Sequence, residues 1–252
     1  TAEQPSGSGT ENDSYLIANL ENLYWMTENS GEWDKYYIQT SDIDASSTSA
    51  WDDGLGFTPM GNISIKFTGS YDGGVYTING LNINRPSTNY TGLFGYTNGS
   101  TIKNLGVINV NITGADRTGG LAGWIKINTT INNCYTTGNI TGTRLLGGLV
   151  GMVDDSSTVN NCYSTSSVNG SGNDVGGLVG GIPTSPSFIS NCYSTGSVSS
   201  PGIRIGGLVG GSDAIITNCY STGSVIGEEN YVGGLLGFSI GSVNNSFWDK
   251  QT

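Results

Sequence analysis

One motif returns through the second half of this chain at a nearly fixed interval. Gly-Gly-Leu-x-Gly stands at Gly119 to Gly123, Gly147 to Gly151, Gly176 to Gly180, Gly206 to Gly210 and Gly233 to Gly237, after a shorter Gly92-Leu93-Phe94-Gly95. The central leucines, Leu93, Leu121, Leu149, Leu178, Leu208 and Leu235, are 28, 28, 29, 30 and 27 residues apart. Such a period marks a repeat architecture, in which copies of one small unit stack and share a core that no single copy could close.

A second motif keeps the same step: Asn133-Cys134-Tyr135, Asn161-Cys162-Tyr163, Asn191-Cys192-Tyr193, Asn218-Cys219-Tyr220 and the variant Asn245-Ser246-Phe247. A β-branched residue follows at Ile140, Val168, Val198 and Val225. Each period thus holds three short apolar segments divided by Gly, Asn, Ser and Asp turns. Helices are disfavoured, because interior glycine costs about 1 kcal/mol and the apolar residues lack 3.6-residue spacing. The expected fold is all-β: a right-handed parallel β-helix, or β-solenoid, with about 28 residues per coil and like residues stacked in ladders. Period-two parity, with the Asn residues at left-handed corners, points Cys134, Thr136 and Ile140 inward and Tyr135 and Thr137 outward.

The paired motifs Gly-Gly-Leu-Val-Gly and Asn-Cys-Tyr-Ser-Thr-Gly-Ser-Val resemble the GLUG-motif repeat family over roughly Gly92 to Trp248, with Phe67 to Gly73 resembling the segment that often precedes the repeats. That family occurs in exported, adhesin-like surface proteins and some bacterial immunoglobulin A peptidases. The resemblance implies a surface location and a structural or adhesive role, and brings no catalytic residues with it.

Residues 1–14 read as an extended tail, 15–60 as a small α/β cap and 61–252 as the solenoid. In the cap, Leu20, Leu23, Tyr24 and Thr27 fall at helical spacing behind an N-cap candidate at Asn19, and Lys35 to Thr40 and Ile63 to Phe67 read as strands. A solenoid needs its first coil covered, since an open end is a row of unpaired strand edges. Val243 to Trp248 resembles one more coil, with no cap after it.

A net charge of -11 repels phosphate backbones, so nucleic acid is not an expected partner. No apolar run is long enough for membrane insertion. The opening Thr1-Ala2-Glu3-Gln4-Pro5 reads as a mature start after signal removal. Asn-x-Ser/Thr sequons at Asn12, Asn62, Asn89, Asn98, Asn111, Asn128, Asn139, Asn169 and Asn244 add to a secreted, extracellular or cell-surface reading, either as glycosylation sites or as chance products of the composition.

Cys134, Cys162, Cys192 and Cys219 fall once per coil. Without His or Cys-x-x-Cys they do not describe a zinc site, and parallel Cβ vectors about 4.8 Å apart suit a buried thiol ladder better than disulfides. Tyr135, Tyr163, Tyr193, Tyr220 and Phe247 form a column that is either a glycan-stacking strip or coil-to-coil packing. Asp174 and Arg204, each two residues before a Gly-Gly, are expected to form a cross-coil ion pair contributing under about 1 kcal/mol. Asp154-Asp155 is the one carboxylate pair that would suit a carbohydrate-active enzyme, and Asp42-x-Asp44 and Asp52-Asp53 read as solvated loops rather than calcium ligands. No nucleophile and base can be picked out, and no catalytic residue, cofactor or metal is expected.

The sequence therefore describes a non-enzymatic extracellular structural or adhesive solenoid. Its expected partner is itself, as a head-to-tail homopolymer forming a surface filament. The alternatives are a monomeric segment of a larger adhesin that binds host or cell-surface glycans, and a carbohydrate-active enzyme.

Overall fold

The computed structural model describes residues 1–184 and 186–249, so the last three residues of the expected solenoid span lie outside it. It is a parallel β-solenoid of about six coils, about 28 residues apart, with one α-helix among the described residues. One coil shows the plan: strand Tyr135–Gly142, strand Leu146–Gly147, strand Val150–Val153 and strand Thr158–Asn160. Each joins a different parallel sheet, the four holding 12, 5, 6 and 9 strands among the described residues. Stacking is in register, residue on equivalent residue: Ile140 on Val168, Leu146 on Val175, Val150 on Val179 and Ile131 on Val159.

Three apolar segments per period were expected and the strands fall into four sheets, because the Gly-Gly-Leu-x-Gly segment turns a corner in its middle. A Cβ on the first glycine, at Gly147, Gly176 or Gly206, would overlap the carbonyl oxygen of Val150, Val179 or Val209 three residues on. The second glycine faces across a narrow interior, where a Cβ on Gly148, Gly177 or Gly207 would overlap the hydroxyl of Ser164, Ser194 or Ser221. The two motifs of the repeat are thus halves of one packing unit, the glycine making room for the inward hydroxyl.

At the opposite corner Asn133, Asn161, Asn191, Asn218 and Asn245 have φ of 53°, 53°, 54°, 55° and 46°, the left-handed region that asparagine tolerates. Their amides bond back to the preceding coil on the outside: Asn133 Nδ2 donates to Asn104 Oδ1 (2.9 Å), Asn218 to Asn191 (3.2 Å) and Asn245 to Asn218 (3.3 Å), while Asn161 and Asn191 donate to Asn132 (3.3 Å) and Asn160 (2.9 Å) beside the corner. Asn104 donates in turn to Asp72 Oδ1 (3.0 Å). The parity argument holds: Cys134, Thr136 and Ile140 are buried, while Tyr135 and Thr137 are half-buried on the outer face.

The four cysteines are free and buried. Cys134 N–H donates to Cys162 Sγ and Cys162 N–H to Cys192 Sγ, both at 3.4 Å. The thiols of Cys134, Cys162, Cys192 and Cys219 donate to carbonyls two residues back, at 3.3, 3.0, 3.0 and 3.2 Å. Ser246 makes the same two bonds, accepting from Cys219 N–H (3.0 Å) and donating to Asn244 O (2.8 Å). The ladder therefore needs a small side chain that satisfies a buried backbone N–H beside the Asn corner. Burial pushes the Cys162 and Cys192 thiols well up, and the hydrogen bond with Cys192, ahead of burial, does so for Cys219.

At the N-terminal end the helix, α1, spans Leu20–Glu28, with Asn19 Oδ1 accepting from Asn22 N–H (2.9 Å) at its N-cap. Three expectations change here. Residues 1–14 are not an extended tail: Leu16 N–H donates to Ser6 O (2.8 Å), Ser8 to Asp13 O (3.0 Å) and Glu3 to Glu21 O (3.1 Å), so this segment folds back on strand Tyr15–Ile17 and α1. Ile63 to Ile65 bend rather than extend, because Asn62 Oδ1 accepts from both Ser64 N–H (2.9 Å) and Ile65 N–H (3.0 Å), and within the expected strand Phe67 bridges in parallel to Thr97. The division at residue 60 also moves, since Tyr15–Ile17 and Tyr36–Gln39 already lie in the nine-stranded sheet and coil stacking begins inside the expected cap.

Candidate functional site

The tyrosine column is assembled as a stack. Ring centroids of Tyr135 and Tyr163, Tyr163 and Tyr193, Tyr193 and Tyr220, and Tyr220 and Phe247 lie 4.8, 4.7, 4.9 and 5.7 Å apart, with interplanar angles of 6°, 2°, 6° and 10°. Each inner ring has both faces against its neighbours, so the column presents edges and hydroxyls and the rings serve coil-to-coil packing. Burial raises the Tyr163 and Tyr193 phenols, with neighbouring tyrosines adding to it.

The carboxylates singled out from sequence go to separate places. Asp42 Oδ1 accepts from the N–H (2.8 Å) and hydroxyl (3.0 Å) of Thr77, Asp44 from Ser46 N–H (2.9 Å), and Asp52 pairs with Arg85 (2.7 Å). Among the described residues no cluster suits a metal ion. Asp174 and Arg204 meet as expected, in a bidentate pair of 2.5 and 2.7 Å that raises the guanidinium further. Asp154 and Asp155 converge on Lys126, whose Nζ is 4.0 and 3.2 Å from their Oδ2 atoms. Asp154 is buried, and its Oδ1 accepts from Thr184 Oγ1 and Asp155 N–H. The hydrogen bond to Asp155 raises Lys126 and keeps it an ammonium. Among the sequons, Asn98 is half-buried and Asn12, Asn62, Asn89, Asn111, Asn128, Asn139, Asn169 and Asn244 are exposed. Asn111 and Asn139 pair across adjacent strands.

Two further columns flank the Gly-Gly-Leu-x-Gly corner; the first was missed from sequence, and of the second only Asp174 and Arg204 were expected. The residue just after the motif gives an outward column of Tyr96, Trp124, Met152, Gly181, Gly211 and Phe238, stacked in register. The residue two before it gives Tyr90, Arg117, Leu145, Asp174, Arg204 and Tyr231, all with φ between 56° and 67°. This left-handed corner turns their side chains over the outward column. The signal was position rather than identity: the motif frames these sites, but their residue types change from coil to coil.

Along this face two halves differ. In the first, Tyr96 and Trp124 stack at 4.5 Å and Tyr90 lies 5.6 Å from each. Three cations cover these rings: Arg117 sits 5.1 Å from Trp124, Lys126 5.0 Å from Trp124 and Lys66 5.7 Å from Tyr96. In the second half the column shrinks to Gly181 and Gly211, opening a groove of about 340 Å³. Met152 and Phe238 close its ends, Asp174 and Arg204 form one wall, and Pro183 and Asp213 form part of the other. Gly211 makes room for the ion pair, since a Cβ there would press on Asp174 Oδ1 and Arg204 Cδ.

Comparison with known proteins fits this architecture. The model of the GLUG motif matches residues 202–226, consistent with a GLUG-motif repeat family. Halomucin of Haloquadratum walsbyi is 42% identical over 122 residues, 47% of this chain, while the chain spans about 1% of that protein's length. Among solved structures, a Bacteroides ovatus protein assigned as an immunoglobulin A1 protease superposes with a TM-score of 0.75 at 22% identity, covering 96% of this chain and 77% of that one. A second, named IgA1 Protease, gives 0.63 at 20% identity, covering 87% of this chain and 17% of the other. At these identities the likeness is one of fold.

Proposed function

We propose that this chain is a structural, non-catalytic stretch of an extracellular surface β-solenoid, and that its coils stack end to end on those of a second copy. The GLUG motif and the kinship with part of halomucin support the surface role. The observation that supports the association is the stacking itself: coil lies on coil in register, Ile205 on Val232, Ile216 on Val243 and Tyr220 on Phe247, so one coil is a template for another. Parallel strand edges of this kind recruit further strands. Residues 1–14 are engaged by their own chain and donate no strand to a neighbour, so the second copy stacks on the coil itself.

The partnerships of the charged residues favour a structural over a catalytic reading, because Asp154, Asp155, Asp174 and Arg204 are held in ion pairs across coils. Sedimentation velocity over a concentration series tests the association. Reversible growth that Val243→Asp abolishes is expected; a monomer at every concentration contradicts it. Saccharide-cleaving turnover lost in Asp155→Asn would replace the structural reading with an enzymatic one.

A further inference from the structure

The groove between Met152 and Phe238 interrupts an outward column that is otherwise filled by large side chains. Its floor is lowered at two successive levels, Gly181 and Gly211, about 10 Å along the axis at the usual strand spacing. Neither glycine has a positive φ; each makes room for the neighbouring column, Leu145 Cδ2 over Gly181 and the Asp174–Arg204 pair over Gly211, so these side chains line the groove. At the Phe238 end, the ring has Gly211 as its neighbour one coil back, so no side chain stacks on that face within the column. Tyr231 meets it edge-on at 5.2 Å and 71°. On the wall, Asp174 and Arg204 lock one another in a planar pair, leaving a carboxylate lone pair and guanidinium N–H groups side by side.

We infer that this groove binds one neutral hexopyranose residue of a glycan. A pyranose has an apolar C–H face, which stacks on an aromatic ring, and vicinal hydroxyls, each both donor and acceptor. A fixed carboxylate beside a fixed guanidinium answers two such hydroxyls at once. Concave sites of this kind, with apolar ends and a few convergent polar groups, are where small ligands bind. Charge selects the neutral sugar: Asp174 and Arg204 cancel, Asp213 adds a negative charge, and the whole chain carries -11. The tyrosine stack lacks these features, because its faces are already covered. The inference rests on the groove alone and stands whether or not the chain associates end to end.

Saturation-transfer NMR titrations with the methyl glycosides of glucose, galactose, mannose and N-acetylglucosamine, and with methyl glucuronide, test it. At least one neutral glycoside binds. Gly181→Met, which repeats over the groove the residue found one coil earlier at Met152, weakens that binding by at least about tenfold. Phe238→Ala, at a half-exposed ring outside the core, does the same and serves if the methionine disturbs the coil. The inference is overturned if no neutral glycoside binds, if binding survives both substitutions unchanged, or if the glucuronide binds as tightly as the best neutral sugar.

Discussion

The first coils and the repeat coils solve one packing problem with different side chains. Along the nine-stranded sheet, Tyr15 pairs with Tyr37, Tyr36 with Ser70 and Ser70 with Thr101, steps of 22, 34 and 31 residues. Later, Thr130 pairs with Thr158, Thr158 with Phe188 and Phe188 with Ile215, steps of 28, 30 and 27. The early coils enclose large rings: Tyr37, Phe57, Phe67, Tyr71 and Phe94 are fully buried, with Phe67 and Phe94 centroids 4.8 Å apart. The later coils enclose Leu, Val, Ile, Cys and Ser in columns. An aromatic core is a single interlocking fit that tolerates uneven coils. A ladder core is a translation of one coil, so it demands even ones.

That contrast can be broken first at its irregular end. Phe67→Ala is expected to cost about 3–5 kcal/mol, because the surrounding rings cannot slide along an axis to refill the space. Urea denaturation followed by near-ultraviolet circular dichroism measures it, and a loss under about 1 kcal/mol would mean the aromatic end is loosely packed. In the ladder region the largest sensitivity lies at the second glycine. Gly177→Ala puts a Cβ against Gly207 O and Ser194 Oγ and is expected to cost about 2–3 kcal/mol, with Ser194→Gly in the same chain restoring part of it. No recovery in that double mutant would show that the clash is with backbone alone.

The cysteine column separates packing from hydrogen bonding. Cys192→Val removes the acceptor for Cys162 N–H and is expected to cost about 1–3 kcal/mol, whereas Cys192→Ser keeps it, as Ser246 does, and costs less. Equal losses would reduce the ladder to simple space-filling. The smallest effect joins the two regions. Burial works to raise the Asp72 carboxyl, but hydrogen bonds from Asn104 and Gly74 and the Lys103 ammonium outweigh it and hold it below its usual 3.8. A depressed carboxylate adds stability that is fully present above the unfolded pKa and lost as pH falls through the folded one. Stability falling below about pH 4 should therefore be less steep in Asp72→Asn, as read from urea midpoints across that range.

Much of this was legible in the residues, and for a physical reason. Where coils repeat, the same local constraint is written several times, so the Asn corners, the inward parity of Cys134, Thr136 and Ile140, and the pairing of Asp174 with Arg204 could be read directly. Local chemistry also sufficed at Asn19, whose side chain caps α1. The reading failed where a non-repeated contact decided the outcome. Ile63 to Phe67 alternates like a strand, but Asn62 bends its first residues and leaves Phe67 bridged to Thr97, and residues 1–14 lack a pattern because strand Tyr15–Ile17 and α1 supply their partners. The groove was hidden for the opposite reason. Its column lies at a fixed place in the repeat, but Tyr96, Trp124, Met152, Gly181, Gly211 and Phe238 share no chemistry that self-similarity would detect.

The even coils are built by translating one unit along the axis, and the proposed association extends that same translation to a second copy. Negative-stain electron microscopy of the purified chain, scored for particle length over a concentration series, tests this most directly. Rods in integer multiples of one solenoid length, growing with concentration, are predicted; particles of a single length at all concentrations would contradict the account.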